Sequence, residues 1–198
     1  MDGKRFWGAA ALACALGLAG CGGLLPAPAP DRVVLHDFGP APRFQGRGAS
    51  FVTVWVTSVP WLRGTDIHYR LLYRDPTAVH SYADNRWLVP PAELLKERLR
   101  ASLGAVAPPA AGQSARLVVT LVRFAQDFRS PHEAVARLEL EVRLVRLAGG
   151  EAAVRDSIQV QVPCSADAQG AVTGLSRAAI LGVRRVTAFV AAQAKNRD

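Results

Sequence analysis

The sequence has 198 residues, half of them apolar and a fifth charged, with a net charge of +8. That length and composition suit one folded domain with a genuine hydrophobic core, and they exclude a disordered chain. The arginines are scattered (Arg43, Arg70, Arg86, Arg100, Arg143, Arg185) and only three lysines occur, which describes an ordinary solvated surface rather than a nucleic-acid reader.

The chain opens on an export segment. Lys4 and Arg5 form a short positive region, and residues 6–18 are an apolar run that suits a signal-peptide core. Such a run is too short to cross the roughly 30 Å hydrocarbon core of a bilayer comfortably. It ends in Leu18-Ala19-Gly20-Cys21, a lipobox: small residues fit the cleft of the signal peptidase, and the Cys21 thiol is acylated before cleavage. Residues 1–20 are therefore expected to be removed and Cys21 to carry the lipid anchor. The mature chain keeps a net charge of +7, since Asp2, Lys4 and Arg5 leave together. Gly22, with no aspartate after the cysteine, favours the outer membrane with the domain facing the periplasm. Export also removes nucleic acid as a partner.

Residues 21–30 read as a tether. The alternating prolines Pro26, Pro28 and Pro30 favour an extended polyproline II chain, at roughly 3.1 Å per residue a reach of about 28 Å from the bilayer. Residues 31–198 then form the single expected domain.

Strands come first. Residues 32–38 and 51–59 are rich in valine and aromatics and are separated by Gly39-Pro40. Residues 66–73 alternate, with Ile67, Tyr69, Leu71 and Tyr73 on one face and His68 and Arg70 on the other. Arg74-Asp75-Pro76-Thr77 is a turn, and residues 78–87 return as a hairpin partner. Pro90-Pro91 starts a helix, because proline's fixed φ suits the first turn. Leu94, Leu95, Leu99 and Leu103 make its apolar stripe, Lys96, Glu97 and Arg100 lie off it, and Gly104 suits the residue after its end. A loop spans residues 106–114.

The order then repeats. Residues 115–128 read as a strand. In residues 136–147 Leu138, Leu140, Val142 and Leu144 oppose Arg137, Glu139, Glu141 and Arg143, the pattern of a sheet with one packed and one wet face. Gly149-Gly150 turns into residues 151–162, where Ile158, Val160 and Val162 alternate with polar neighbours. A long amphipathic helix ends the chain, marked by Val172, Leu175, Ala179, Val183, Val186 and Val190. The fold class expected is α+β, an antiparallel or mixed sheet with two main helices packed on it, in the order strands, helix, strands, helix.

Chemistry is hard to find in this chain. His36, His68, His80 and His132 are isolated, with no metal-ligand spacing, so no metal and no cofactor is expected. His68 reads as a surface residue. Ser176 lacks the second glycine of a nucleophile elbow, and Glu139 and Glu141 share a face with arginines that would pair with them. No catalytic residue is assigned and the chain reads as a non-enzyme. Cys14 leaves with the signal and Cys21 is acylated, so Cys164 is the single remaining thiol: buried and inert, or the partner in an intermolecular disulfide. Trp61, Tyr69, Tyr73, Tyr82 and Trp87 gather in one hairpin. They either pack it onto a helix or form an apolar partner or lipid surface.

At this hairpin the chain resembles a known family. Pro60-Trp61-Leu62-x-Gly64, Tyr69-Arg70-Leu71-x-Tyr73 and Tyr82-x-x-x-Arg86-Trp87-x-x-Pro90-Pro91, with the leucine helix after them, resemble the ABC-type transport auxiliary lipoproteins. The lipobox, the Asp37-Phe38-Gly39 opening and the terminal helix agree in order and spacing. The resemblance implies a non-catalytic outer-membrane partner of an MCE-type transporter: an ATPase, a permease and a periplasmic MCE-domain protein that carry lipids between membranes, with the lipoprotein docking the periplasmic bridge, as a monomer or a homo-oligomer. Two other readings stand beside it, a periplasm-facing lipid-binding carrier and an envelope-assembly lipoprotein.

Overall fold

The computed structural model describes residues 32–40, 52–104, 115–146 and 153–195. The export segment, Cys21 and the proline tether lie outside these residues, as do the loop before Ala115 and the Gly149-Gly150 turn. The chain divides into two units, Met1–Arg32 and Val33–Asp198, and every element below belongs to the second.

The strands are β1 (Val34–His36), β2 (Val52–Ser58), β3 (Asp66–Leu71), β4 (His80–Trp87), β5 (Ala115–Ser130), β6 (Glu133–Arg146) and β7 (Ala153–Cys164). The helices are α1 (Pro91–Leu103) and α2 (Ala168–Lys195), and a single 3-10 turn covers Pro60–Leu62. The strands form one mixed sheet in the order β1-β4-β3-β5-β6-β7, with β2 also paired to β5. The long β5 explains how two strands share its edge. Its first half runs parallel to β2, from Ala115 opposite Val52 to Leu121 opposite Ser58. Its second half runs parallel to β3, from Ala125 opposite His68 to Phe128 opposite Leu71. The 3-10 turn carries the chain from one partner to the next, and a register shift between Leu121 and Arg123 accompanies the change. The α+β class, the mixed sheet and the two helices read from sequence are all present.

One face of the sheet is covered by both helices. Val52, Val54, Val56, Leu117, Val119, Leu121, Leu138, Leu140, Ile158 and Val160 point into this layer and are buried against Leu95, Leu99, Leu175, Val183 and Val186. Alternation forces the other side chains of these strands outward. Trp55, with 58% of its surface exposed, stands on that uncovered face. Ser102 of α1 is buried, and its hydroxyl is satisfied by the Thr187 hydroxyl of α2 at 2.8 Å.

Small residues let α2 approach the sheet. Gly170, Gly174, Ala178 and Gly182 recur every fourth position, so they form one stripe along the helix. A Cβ at Gly174 would lie 2.8 Å from Cys164 Cβ and 2.9 Å from Ala136 Cβ, and one at Gly170 would lie 2.0 Å from the Ser165 carbonyl oxygen. At Gly182 the obstacle is the flexible end of Leu138. Gly170→Ala is therefore expected to destabilise the protein by roughly 2 kcal/mol and Gly182→Ala by clearly less, because backbone cannot yield as a leucine methyl can. Denaturant midpoints of the two variants check this ordering, and equal losses would contradict it.

Two local expectations change. Tyr73 does not continue the Tyr69 face: β3 ends at Leu71, whose carbonyl accepts from both Arg74 and Asp75 N–H at 2.9 Å, closing a turn that carries Tyr73 out of the strand. Gly104 keeps right-handed helical geometry at φ −60°, its N–H still bonded to the Arg100 carbonyl, so it needs no glycine-specific conformation. Gly39 does, at φ +75°, with its N–H donating to Asp37 Oδ1 at 2.7 Å. That turn sets Phe38 into the core.

Candidate functional site

The five hairpin aromatics do not form one surface. Trp87 is only 1% exposed, with its ring 5.4 Å from Phe38 and 5.5 Å from Phe124. As a partner or lipid contact it is corrected: the residue is core, and its surface is spent there. Tyr69 and Tyr82 lie half-buried on the helix side with ring centroids 4.8 Å apart, and Tyr69 also stacks on His80 at 5.1 Å. Tyr73 is exposed in the turn after β3. Trp61, on the 3-10 turn, belongs to the opposite face. Its ring packs edge-on to His68 at 5.3 Å, and the Arg70 guanidinium sits 5.6 Å from its centroid.

A buried polar chain runs from this hairpin to the start of α2. The Tyr82 hydroxyl donates to Gln126 Oε1 at 2.5 Å, and the Gln126 amide donates to the Ser165 carbonyl at 2.6 Å and to Cys164 Sγ at 3.4 Å. Gln126 is fully buried, so the three contacts replace the water it has lost. Burial pushes the Tyr82 phenol upward, with Tyr69 adding to the effect. Burial also raises the Cys164 thiol, against the opposing hydrogen bond from Gln126. The thiolate is the reactive species. Native Cys164 is therefore expected to react with iodoacetamide at pH 7 at least tenfold more slowly than in the denatured chain; equal rates would mean that the thiol is open.

The face of the sheet away from the helices holds a charged cluster. Asp127 of β5 is wholly buried; Arg123 Nη2 donates to its Oδ2 at 2.6 Å, and Arg137 Nε lies 2.8 Å from the same oxygen. Glu139 comes within 4.0 Å of Arg123. In register beside Asp127 is Arg70 of β3, whose Nη1 donates to the carbonyls of Pro76 and Thr77 at 3.2 and 3.3 Å. These groups border a recess of about 400 Å³ lined by Arg70, Leu72, Pro76, Arg123, Asp127 and Arg137. Asp127 Oδ1, Arg70 Nε and Arg123 Nε are sealed from water without hydrogen-bond partners, and Arg137 Nε has the close carboxylate oxygen but not hydrogen-bond geometry to it. Each such group costs about 1–3 kcal/mol. Reading the sequence strand by strand missed this cluster. An aspartate well inside a strand was the available signal, since such residues are depleted in strands. His68 faces the same side and is half-buried under Trp61; burial lowers its pKa, with Asp66 acting in the opposite sense. It is less of a surface residue than alternation alone suggests.

A second, apolar feature lies at the sheet's β1 edge. Val33, Val34, Leu35, Leu88 and Val89 are all exposed, and the Leu88 N–H donates to the His36 carbonyl at 2.7 Å, which holds the two segments together. An open groove of about 640 Å³ runs from Leu35, Phe38 and Leu88 to Val172 and Ser176 of α2. Among the described residues no three His, Cys, Asp or Glu side chains come together as metal ligands, and no helix is long and apolar enough to cross a membrane. The arrangement presents surfaces that can bind.

Comparison with known proteins adds the following. The family model described as "ABC-type transport auxiliary lipoprotein component" matches residues 36–191. The chain is similar to a Xanthomonas campestris protein of the DUF330 family known from its crystal structure, at 17% identity and a TM-score of 0.63, covering 84% of this chain and 98% of that one. An uncharacterized protein, also a crystal structure, gives 16% identity and a TM-score of 0.57 over 82% of this chain and 98% of its own. At these identities the two structures speak for the fold alone. No curated protein matches the sequence.

Proposed function

The chain belongs to the family of ABC-type transport auxiliary lipoprotein components, and from that premise we propose that it is the non-catalytic outer-membrane member of an MCE-type transport system, docking the periplasmic bridge through which lipid moves between membranes. Cys21 is the lipid attachment point in this reading, the proline tether holds the folded domain off the bilayer, and residues 31–198 do the docking. The family match carries the proposal; the lipobox and the exposed β1 edge support it. Aliphatic side chains that stay in water on an isolated domain gain when a partner covers them, at about 25 cal/mol per Å² of apolar surface removed from water. Leu35 and Leu88, at 58% and 55% exposure, are the most exposed of the edge group.

The test is gentle purification of the acylated chain from membranes with its associated proteins. An MCE-domain protein and its permease are expected to co-purify. The double variant Leu35→Glu, Leu88→Glu is expected to reduce their recovery at least tenfold while leaving thermal stability unchanged. Co-purification that survives both charges would move the docking surface elsewhere, and absence of any MCE-domain protein would overturn the proposal.

A further inference from the structure

We propose that the open face of the sheet around Trp55, Arg143 and Arg155 docks an acidic, extended segment of a partner protein. The strand register builds this surface. Trp55 of β2 lies opposite Val118 of β5, Val118 opposite Arg143 of β6, and Arg143 opposite Arg155 of β7. One row of side chains therefore crosses four strands. Arg116, opposite Val145, stands one diagonal step from Arg143. All three arginines and Trp55 are exposed.

The charges in this row are left open. Like charges directly opposite one another on neighbouring strands cost stability, yet Arg143 and Arg155 are paired in just that way. Among the described residues none of Arg116, Arg143 and Arg155 makes an ion pair. Glu141 and Asp156 border the recess beside them without joining any of the three. The same face behaves differently further along, where Asp127 holds Arg123 and Arg137. The Trp55 ring, 58% exposed, meets no other aromatic ring and no guanidinium among the described residues.

The shape and chemistry select the occupant. A recess of about 360 Å³ is bordered by Trp55, Arg116, Val118, Arg143, Val145 and Ala153, with no carboxylate on its lining. Through Val118 and Arg143 it continues into a second, of about 580 Å³, that reaches Arg155. No lysine lines either one. Guanidinium forks match carboxylates two bonds at a time, and arginine and tryptophan are the side chains that most often anchor protein interfaces, where lysine is depleted. A bilayer presents a plane, which meets the rim of such a recess rather than its apolar floor. Neighbouring strands are about 4.8 Å apart, so the row from Arg155 to Trp55 is roughly 14 Å long. Alternate side chains of an extended segment are about 6.7 Å apart. Two carboxylates two residues apart reach the arginines, and an aromatic side chain two residues further on reaches Trp55.

This surface shares no residue with the exposed β1 edge. The test uses the full purified chain in non-ionic detergent and a fluorescein-labelled peptide of three Glu-Ser-Glu-Ser-Phe units, with binding read by anisotropy. Saturable binding is expected, weakened at least tenfold by Arg143→Gln with Arg155→Gln and at least threefold by Trp55→Ala. These side chains are exposed and unpaired, and circular dichroism confirms that the variants fold. Arg177→Gln with Arg184→Gln removes the same charge from exposed positions on α2 and should change binding less than twofold. Leu35→Glu with Leu88→Glu should leave it unchanged, so this surface and the β1 edge stand or fall separately. Absence of saturation, or equal losses from the sheet and α2 arginine pairs, would overturn the proposal. So would sedimentation with phosphatidylglycerol vesicles that depends on Arg143 and Arg155 while the peptide fails to bind, since the face would then serve a bilayer.

Discussion

Replacing Trp87 by alanine is expected to destabilise the protein by about 3–5 kcal/mol, the range measured for large aromatic truncations in packed cores. Trp87 ends β4 and is 1% exposed, with Phe38 edge-on to its ring and Phe124 tilted against it. Phe38 and Phe124 also touch each other at 5.7 Å, so the three rings form one unit drawn from β4, β5 and the segment after β1. Removing the central ring leaves a cavity bordered by strands that are hydrogen-bonded in register, and such walls collapse poorly. Equilibrium unfolding in urea checks this. Trp87→Phe should recover more than half of the loss, because it restores aromatic surface if not shape. A loss below about 1.5 kcal/mol for Trp87→Ala would show that the site relaxes, and would put Trp87 outside the load of the core.

Asp127→Ala carries the second large effect, about 3 kcal/mol, through charge rather than volume. The wild-type carboxylate is fully buried and serves both Arg123 and Arg137, whose side chains are 26% and 24% exposed. Without it those two arginines keep their charges in a partly dry site, and only Arg123 retains a carboxylate, Glu139 at 4.0 Å. Their residual exposure lets water screen part of the cost, which is why the figure sits at the lower end of the range for broken buried pairs. Arg70→Gln should cost less than about 1 kcal/mol, since it removes two long hydrogen bonds to carbonyls and one cation–π contact. Denaturant midpoints of the two variants separate the roles. If Asp127→Ala proved as mild as Arg70→Gln, the carboxylate would not be holding the arginines at all.

The hydrophobic periods carried most of the architecture. Leu138, Leu140, Val142 and Leu144 are buried and Glu141 and Arg143 are exposed, as a period of two requires, and the Leu95-Leu99-Leu103 stripe is buried along one side of α1. Short-range chemistry is what makes these readable: the pattern repeats within a few residues, and neither helix nor strand can bury a side chain that its own geometry turns outward. Tyr73 fails the same test, because alternation extends only as far as the backbone stays extended. The turn at residues 72–74 is set by hydrogen bonds to the Leu71 carbonyl.

The sequence by itself determined the family pattern around Trp61–Pro91, the α+β order and the packed faces of β6 and β7. These rest on residues adjacent in the chain or repeating at a fixed period. Only the tertiary structure decided which aromatics are core and which are surface, since Trp87 and Trp61 bracket one hairpin and end on different sides of the molecule. It alone brought Arg70, Arg123, Asp127 and Arg137 together. That meeting depends on β5 pairing with β3 on one edge and β6 on the other, with Arg70 opposite Asp127 and Ala125 opposite Arg137. Strand register is a long-range choice made by the whole buried face at once, and no spacing along the chain records it.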